Sequence, residues 1–414
     1  MIKSLQIKNF KSVVNLSLDL GVFNVLIGEN GCGKSNILEA AAFGAAASAD
    51  KLDFEFLGSR GIRVTNPEFM YSAFASKTKK KKMEINFSVD NALFKENKYV
   101  LTLDTNSPKK WINSNKEKYR KEIGENLALV LFEKNKKIRE NKLKKLFPGN
   151  EKYVLRLLPV ANKISENLKK IGKPEHEHGF FNFTFSKFLD DRFSNPTISN
   201  YIVYSPEQSS LRKFEETTQI YPLGIKGEGL FQYLKEITFD KKGKNILNDI
   251  KNNLALLDWY EDFDLPVNLR KNEFSLKIKD KYLSENLQYF DQRSTNEGFL
   301  FLLFYSTLFI SKTTPAFFAI DNIDASLNPK LCMQLTKNLA ALAKKHKKQV
   351  ILTTQNPAIL DGLNLKDESQ RLFVVRRNDE GHTIAKRIEF KSERKLKLSE
   401  VWTNGFIGGL PENF

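Results

Sequence analysis

The order of apolar and polar positions divides this chain into short buried strands and longer helical stretches. Val22-Phe23-Asn24-Val25-Leu26-Ile27 is an apolar, β-rich run that reads as a buried strand, and Asn36-Ile37-Leu38-Glu39-Ala40-Ala41-Ala42 is rich in helix formers. Met83-Glu84-Ile85-Asn86-Phe87-Ser88-Val89 alternates apolar with polar positions as a strand does, and Tyr99-Val100-Leu101-Thr102-Leu103 follows it. Later buried strands are predicted at Tyr201-Ile202-Val203-Tyr204, Pro315 to Ile320, Gln349-Val350-Ile351-Leu352 and Arg371-Leu372-Phe373-Val374-Val375. Helices are predicted within Lys116 to Phe147, bounded by Pro108 and Pro148-Gly149, and over Lys330 to Lys345. Phe299 to Ile310 is so apolar that a helix there must be buried. Strands separated by helices indicate an α/β core with parallel strands.

Three zones follow. Residues 1–104 are strand-rich, residues 105–200 carry charged helical patterns that read as an insertion, and residues 201–414 return to buried strands. The core is thus expected in two halves flanking a mostly helical middle.

Composition narrows the class. With 41% hydrophobic and 28% charged residues over 414 positions, the chain is an ordinary globular protein with room for a large core. It has no run of 18 uncharged apolar residues and no signal-peptide core after Met1, so a cytoplasmic location without membrane association is expected. Two cysteines, Cys32 and Cys332, suggest neither a disulfide framework nor a zinc site. The formal charge of +17 is regional: Lys109 to Lys170 holds 18 Lys plus Arg against 7 Glu, or +11. Lys79, Lys80, Lys81 and Lys82 form a second basic cluster. Such surfaces suit nucleic acid, an anionic partner or plain solvation.

The strongest chemical signal is Gly28-Glu29-Asn30-Gly31-Cys32-Gly33-Lys34-Ser35, which fills every fixed position of the phosphate-binding loop between a predicted strand and a predicted helix. Glycines let the backbone wrap phosphates, amides and the helix N-terminus supply positive potential, Lys34 reaches the outer phosphates, and the Ser35 hydroxyl is placed for Mg²⁺. Phe317-Phe318-Ala319-Ile320-Asp321 is an apolar strand ending in a carboxylate, a Walker B pattern in which Asp321 holds the metal's shell.

Leu5 to Ser12, the loop GENGCGKSN, the segment Pro222 to Leu230, the stretch IDNIDASLNP and the stretch TTQNPAILDGL resemble the ABC-type ATPase heads of the RecF, SMC and OLD group. More narrowly, they look like the compact AAA-labelled ATPases found in bacterial anti-phage and abortive-infection operons. The resemblance covers residues 1 to about 45 and about 201 to 414. It implies an ABC-ATPase-like head, with a P-loop core, an antiparallel β subdomain and a basic helical insertion. It also implies ATP and Mg²⁺ as cofactors, with Asn30, Gly31, Cys32, Gly33, Lys34, Ser35 and Asn36 on the nucleotide and Ser35 and Asp321 on the metal.

In this family ATP lies between two protomers, the phosphate loop of one facing a signature segment of the other. Arg293 to Leu300 occupies that place, with Gly298 matching and Ser294 or Asn296 taking the usual serine's role. The rival reading is a core helix simply capped by Ser294 or Asn296. Two departures touch catalysis: Asn322 stands where the family has a glutamate and Gln355 where it has a histidine. Amides orient water but accept no proton, which removes assistance worth roughly 10² to 10⁴ in rate. Asp324 is a partial substitute, and no glutamine between Asn36 and Asn150 supplies a Q-loop.

Other clusters are weaker. His176-Glu177-His178 reads as a solvated loop, and Asp262-Phe263-Asp264 as a strand edge or turn more readily than a nuclease site. The tail Leu398 to Pro411 is expected to pack on its own domain. The leading expectation is a slowly hydrolysing, nucleotide-dependent clamp or sensor. It assembles as an ATP-sandwiched homodimer or higher homo-oligomer, and it controls a separate effector such as a nuclease or toxin in anti-phage defence. The alternatives are a DNA-binding repair or replication accessory of RecF type, with DNA or RNA as partner, and an autonomous nuclease.

Overall fold

A computed structural model describes residues 1–74, 82–90, 96–104, 107, 110–116, 118, 135–146, 158–159, 162, 194–213, 218, 220–240, 243–265, 275–284, 286–325, 327–393 and 395–410. Lys79, Lys80, Lys81 and His176-Glu177-His178 lie outside these residues, as does most of 105–200; Lys82 is described and exposed.

The first sheet is antiparallel, with strands β1 (Ile2–Phe10), β2 (Val13–Asp19), β4 (Met83–Val89), β5 (Glu96–Leu103) and β6 (Trp111–Asn113) in the order β2-β1-β4-β5-β6. The alternation legible in β4 is its burial pattern: Met83, Ile85, Phe87 and Val89 face the core.

The second sheet has the order β13-β12-β3-β11-β10-β7, built from β3 (Phe23–Ile27), β7 (Val203–Tyr204), β10 (Phe317–Ile320), β11 (Gln349–Thr354), β12 (Gln370–Arg377) and β13 (Thr383–Ile388). All its pairings are parallel except β12 with β13. Both faces are covered, which is why its strands are apolar runs rather than alternating ones. Phe318 and Ile320, Val350 and Leu352, and Leu372 and Val374 point into one core. Their neighbours Phe317, Ala319, Ile351, Phe373 and Val375 point into the other.

That other core is filled by helix α1 (Lys34–Ser48), sandwiched between the two sheets. Its run of alanines and Gly44 permits the close fit, since a Cβ at Gly44 would come within 2.7 Å of both Ile85 and Phe87. The opposite core is dominated by α2 (Glu297–Ile310), buried from Phe299 to Ile310 as its composition requires, and by α3 (Pro329–Lys345). The sheets are also tied by a polar contact. Ile2 N donates to Gln349 Oε1 at 2.8 Å, and Gln349 Nε2 donates to the carbonyls of Ile2 and Gly21, each at 2.7 Å.

One strand differs in extent from the sequence reading. The strand expected over Tyr201 to Tyr204 is shortened at its start to β7, where Tyr201 N donates back to the Ile198 carbonyl at 2.9 Å. A separate hairpin of β8 (Tyr260–Asp264) and β9 (Lys277–Asp280) carries Asp262 and Asp264, and Lys251 lies 3.0 and 3.6 Å from their carboxylates.

The C-terminal segment packs on the head. Helix α4 (Leu398–Thr403) sits on the 3-10 helix Pro357–Gly362, where Asp361 accepts hydrogen bonds from Ser399 N at 3.0 Å and Ser399 Oγ at 2.7 Å. Trp402 is buried, and Gly409 lies so near that a Cβ there would be 2.6 Å from Val374 Cγ1 and 3.5 Å from Gly28 Cα. Among the described residues no helix is long and apolar enough to cross a membrane.

Candidate nucleotide-binding site

Most groups that meet at the site follow the C-terminal ends of β3, β10 and β11 in the second sheet, the end at which parallel sheets expose loops and helix N-termini to ligands. The loop Gly28 to Gly33 joins β3 to the N-terminus of α1. Gly33 has φ 107°, and a Cβ on it would lie 2.1 Å from Thr383 Oγ1, so its backbone and its surroundings both demand glycine. Lys34 is buried, its Nζ donating to the carbonyls of Gly28 at 2.7 Å and Glu29 at 2.9 Å. Its ammonium therefore sits inside the loop, held by the loop's own carbonyls. Beside it, burial raises the Cys32 thiol's pKa above its ordinary value against the opposing pull of Lys34, so the thiol stays neutral.

Ser35 Oγ donates to Asp321 Oδ2 at 2.8 Å, bringing the start of α1 to the end of β10. The other carboxylate oxygen of Asp321 accepts from the Thr353 hydroxyl on β11. That same hydroxyl accepts from Asn322 N at 2.9 Å, and Asn322 is held at φ 55°, a left-handed conformation that asparagine tolerates. Thr354 Oγ1 donates to Asp324 Oδ1 at 2.6 Å and accepts from Asn356 N at 3.0 Å. Gln355 Nε2 donates to Asn30 Oδ1, so the segment after β11 reaches the phosphate loop directly. Asn36 Nδ2 donates to Ser12 Oγ at 2.7 Å, fixing the loop's far side to the β1–β2 turn. The negative charges of Asp321 and Asp324 are felt behind the site. Tyr201 and Tyr305 are fully buried and their hydroxyls pushed far up, by desolvation first and by those carboxylates second.

Ser35, Asp321, Thr353 and Asn322 thus share one hydrogen-bond network, and the pairs Gln355–Asn30, Thr354–Asp324 and Asn36–Ser12, with Lys34 on the loop carbonyls, lie beside it. The signature-like residues stand apart from it. Asn296 caps α2, accepting from Phe299 N at 2.9 Å, and Ser294 Oγ donates to Asp291 Oδ1 at 2.9 Å. Gly298 lines a cleft of about 440 Å³ together with Trp259, Asn296, Asn328 and Lys330. Asn328 caps α3, so two helix N-termini open onto this one cleft.

Three groups escape sequence reasoning. Thr383 Oγ1 donates to the Cys32 carbonyl at 2.9 Å and lies 2.7 Å from Ser12 Oγ, and Arg377 Nε donates to the Gly31 carbonyl at 2.9 Å. Thr353 is the third, although it belongs to a stretch, TTQNP, whose resemblance pointed only to Gln355. Nothing in the sequence around Thr383 or Arg377 marks either as a neighbour of a loop some 350 positions earlier.

A mostly parallel core sheet with a phosphate loop, joined to an antiparallel sheet across α1, is the architecture of an ABC-ATPase-like head. Residues 23–361 match the family described as "AAA domain, putative AbiEii toxin, Type IV TA system", and the chain belongs to that family. Its fold is similar to the crystal structure of an SMC head bound to the C-winged helix domain of ScpA, with 16% identity, TM-score 0.50, and coverage of 94% of this chain and 98% of that one. SMC heads from Thermotoga maritima (12% identity, TM-score 0.45, 94% and 99% covered) and Pyrococcus furiosus (16%, 0.47, 97% and 98%) also align. No curated protein matches the sequence.

Proposed function

We propose that this chain binds ATP with Mg²⁺ in the loop Gly28 to Ser35, hydrolyses it slowly, and serves as a nucleotide-dependent clamp or sensor for a separate effector. Family membership supports the nucleotide, and the donors present suit it. Lys34 offers an ammonium inside the loop, while Ser35 and Asp321 offer the hydroxyl and carboxylate oxygens that a magnesium ion takes alongside phosphate oxygens and water. When bound, the metal would neutralise charge on the outer phosphates.

The observation that carries slow turnover is the identity of the groups around Asp321. Asn322 follows it, and Gln355 spans to Asn30, so the two positions best placed to handle a water's proton are amides. Asp324 is engaged by Thr354. An assembly held by ATP and released by rare hydrolysis is the behaviour such a site favours. The cleft at Gly298, where two helix N-termini present positive potential, is the surface we assign to the nucleotide of a second protomer. The family's description points to abortive infection and toxin–antitoxin systems, and control of a nuclease or toxin in anti-phage defence is the role we infer from it.

The test is the oligomeric mass with and without ATP·Mg²⁺, with a Lys34→Ala control and phosphate release recorded in the same samples. ATP-dependent assembly with little phosphate release is expected. A mass that ignores ATP, with turnover of tens per second, would refute the clamp.

A further inference from the structure

Sheet order gives the site a direction. Asp321 follows β10 and Gln355 follows β11, both on one side of β3, whereas Arg377 ends β12 and His382 precedes β13 on the other. For a triphosphate whose outer end faces Ser35 and Asp321, the β12–β13 hairpin lies on the opposite side of β3, where its nucleoside can rest. There, three separate segments build one platform. Phe74, 39% exposed, has the Arg377 guanidinium carbon 5.6 Å from its ring centroid. His382 meets the same ring edge-on at 6.4 Å, and its Nε2, 3.0 Å from the Phe74 carbonyl, donates to it, since a carbonyl only accepts. Gly381, at φ 78°, lets the hairpin close on the ring, since a Cβ there would stand 3.1 Å from Phe74 Cε1. Arg377 links the platform to the phosphate loop through its hydrogen bond to Gly31.

We infer that Phe74, steadied by Arg377 and His382, is the stacking platform for the base of a purine nucleoside triphosphate, an inference that rests on nucleotide binding in the phosphate loop. An exposed, partly desolvated ring beside a guanidinium attracts a flat π-system and gains most from a large one. Two of the hydrogen-bonding groups that flank the ring are turned to backbone, Arg377 Nε to Gly31 and His382 Nε2 to Phe74, and His382 Nδ1 lies 3.1 Å from Glu380 Oε2. Recognition therefore reads the face of the base more than its edge, and the site accepts adenine and guanine alike.

Equilibrium binding of ATP, GTP and inorganic tripolyphosphate, each with Mg²⁺, to the full chain and to Phe74→Ala and Phe74→Tyr separates the possibilities. Stacking on an aromatic side chain predicts that Phe74→Ala weakens both nucleotides about tenfold, that Phe74→Tyr restores them, and that tripolyphosphate is unaffected. GTP should bind within about threefold of ATP, because a π-face discriminates little between bases. If Phe74→Ala leaves ATP binding intact, or weakens tripolyphosphate equally, the platform is refuted while the phosphate site stands. An ATP preference over GTP of about a hundredfold refutes recognition by the face alone. Failure of the unaltered chain to bind either ATP or tripolyphosphate overturns the nucleotide site, and this inference with it.

Discussion

Ser35 and Asp321, 286 positions apart, meet in a hydrogen bond of 2.8 Å from the serine hydroxyl to the aspartate. The carboxylate is shared with Thr353, so it is oriented from two sides before any ligand arrives.

Asp321→Asn should therefore fold, because an amide can still accept one of these hydrogen bonds and donate to the other hydroxyl. What it loses is the charge. ATP affinity measured with Mg²⁺ should fall to the value measured in EDTA, with the melting temperature little changed. Retained Mg²⁺ dependence would place the metal elsewhere.

Asn322→Glu should accelerate phosphate release by at least about tenfold, since it supplies a proton acceptor beside Asp321. It should also lower stability by about 1 kcal/mol, because glutamate is less at ease than asparagine in the left-handed region Asn322 occupies. Phosphate release and thermal melting measured on one preparation check both. An unchanged rate would show that Asn322 is not near the attacking water.

Thr383→Val removes the hydroxyl that braces Cys32 and Ser12 while keeping the side chain's shape. Leaving buried partners unpaired costs about 1 to 3 kcal/mol. Because the brace holds the phosphate loop, the variant should lose ATP affinity as well as stability. Loss of stability alone would mean that the loop keeps its form without it.

Lys348 gives a pH signature unrelated to the nucleotide. Its buried ammonium donates to the Thr314 carbonyl and Thr314 Oγ1, each at 2.8 Å, and to the Pro315 carbonyl at 3.2 Å. Burial lowers its pKa from 10.5 to about 8. Between those values the unfolded chain binds a proton that the folded chain does not, so stability rises with pH across that window. The penalty of burying the charge is present in full below about pH 8. The stability of the protein minus that of Lys348→Met should grow from pH 8 toward pH 10, read from denaturant midpoints. A constant difference would show that Lys348 keeps its ordinary pKa in the fold.

How much of this was legible depended on whether a residue's partners lie near it in the chain. β3, β10, β11 and β12 were readable because burial on both faces leaves a run of mostly apolar side chains, and the phosphate loop because its glycines answer local backbone demands. β13, with Thr383-Ile384-Ala385-Lys386-Arg387-Ile388, has neither a continuous apolar run nor clean alternation, since it lies at the sheet's edge. The network around Asp321 was visible as separate motifs, but Thr353, Thr383 and Arg377 act through contacts that only the sheet order creates. For the signature-like segment, capping by Asn296 was one of the two readings left open, and the structure shows that hydrogen bond.

The position of β3 bears on how the molecule comes into being. Buried at all five positions, it takes its sheet partners from β11 and β12, beginning at Gln349 and Gln370. Until those strands exist, a growing chain holds a finished phosphate-loop sequence with no sheet to mount it on. Closing so long a loop is slow and entropically costly, and such chains expose apolar strands while they wait. The proposed nucleotide binding would then be a late acquisition in synthesis, and a chain broken off before β11 would have no assembled site to misfire.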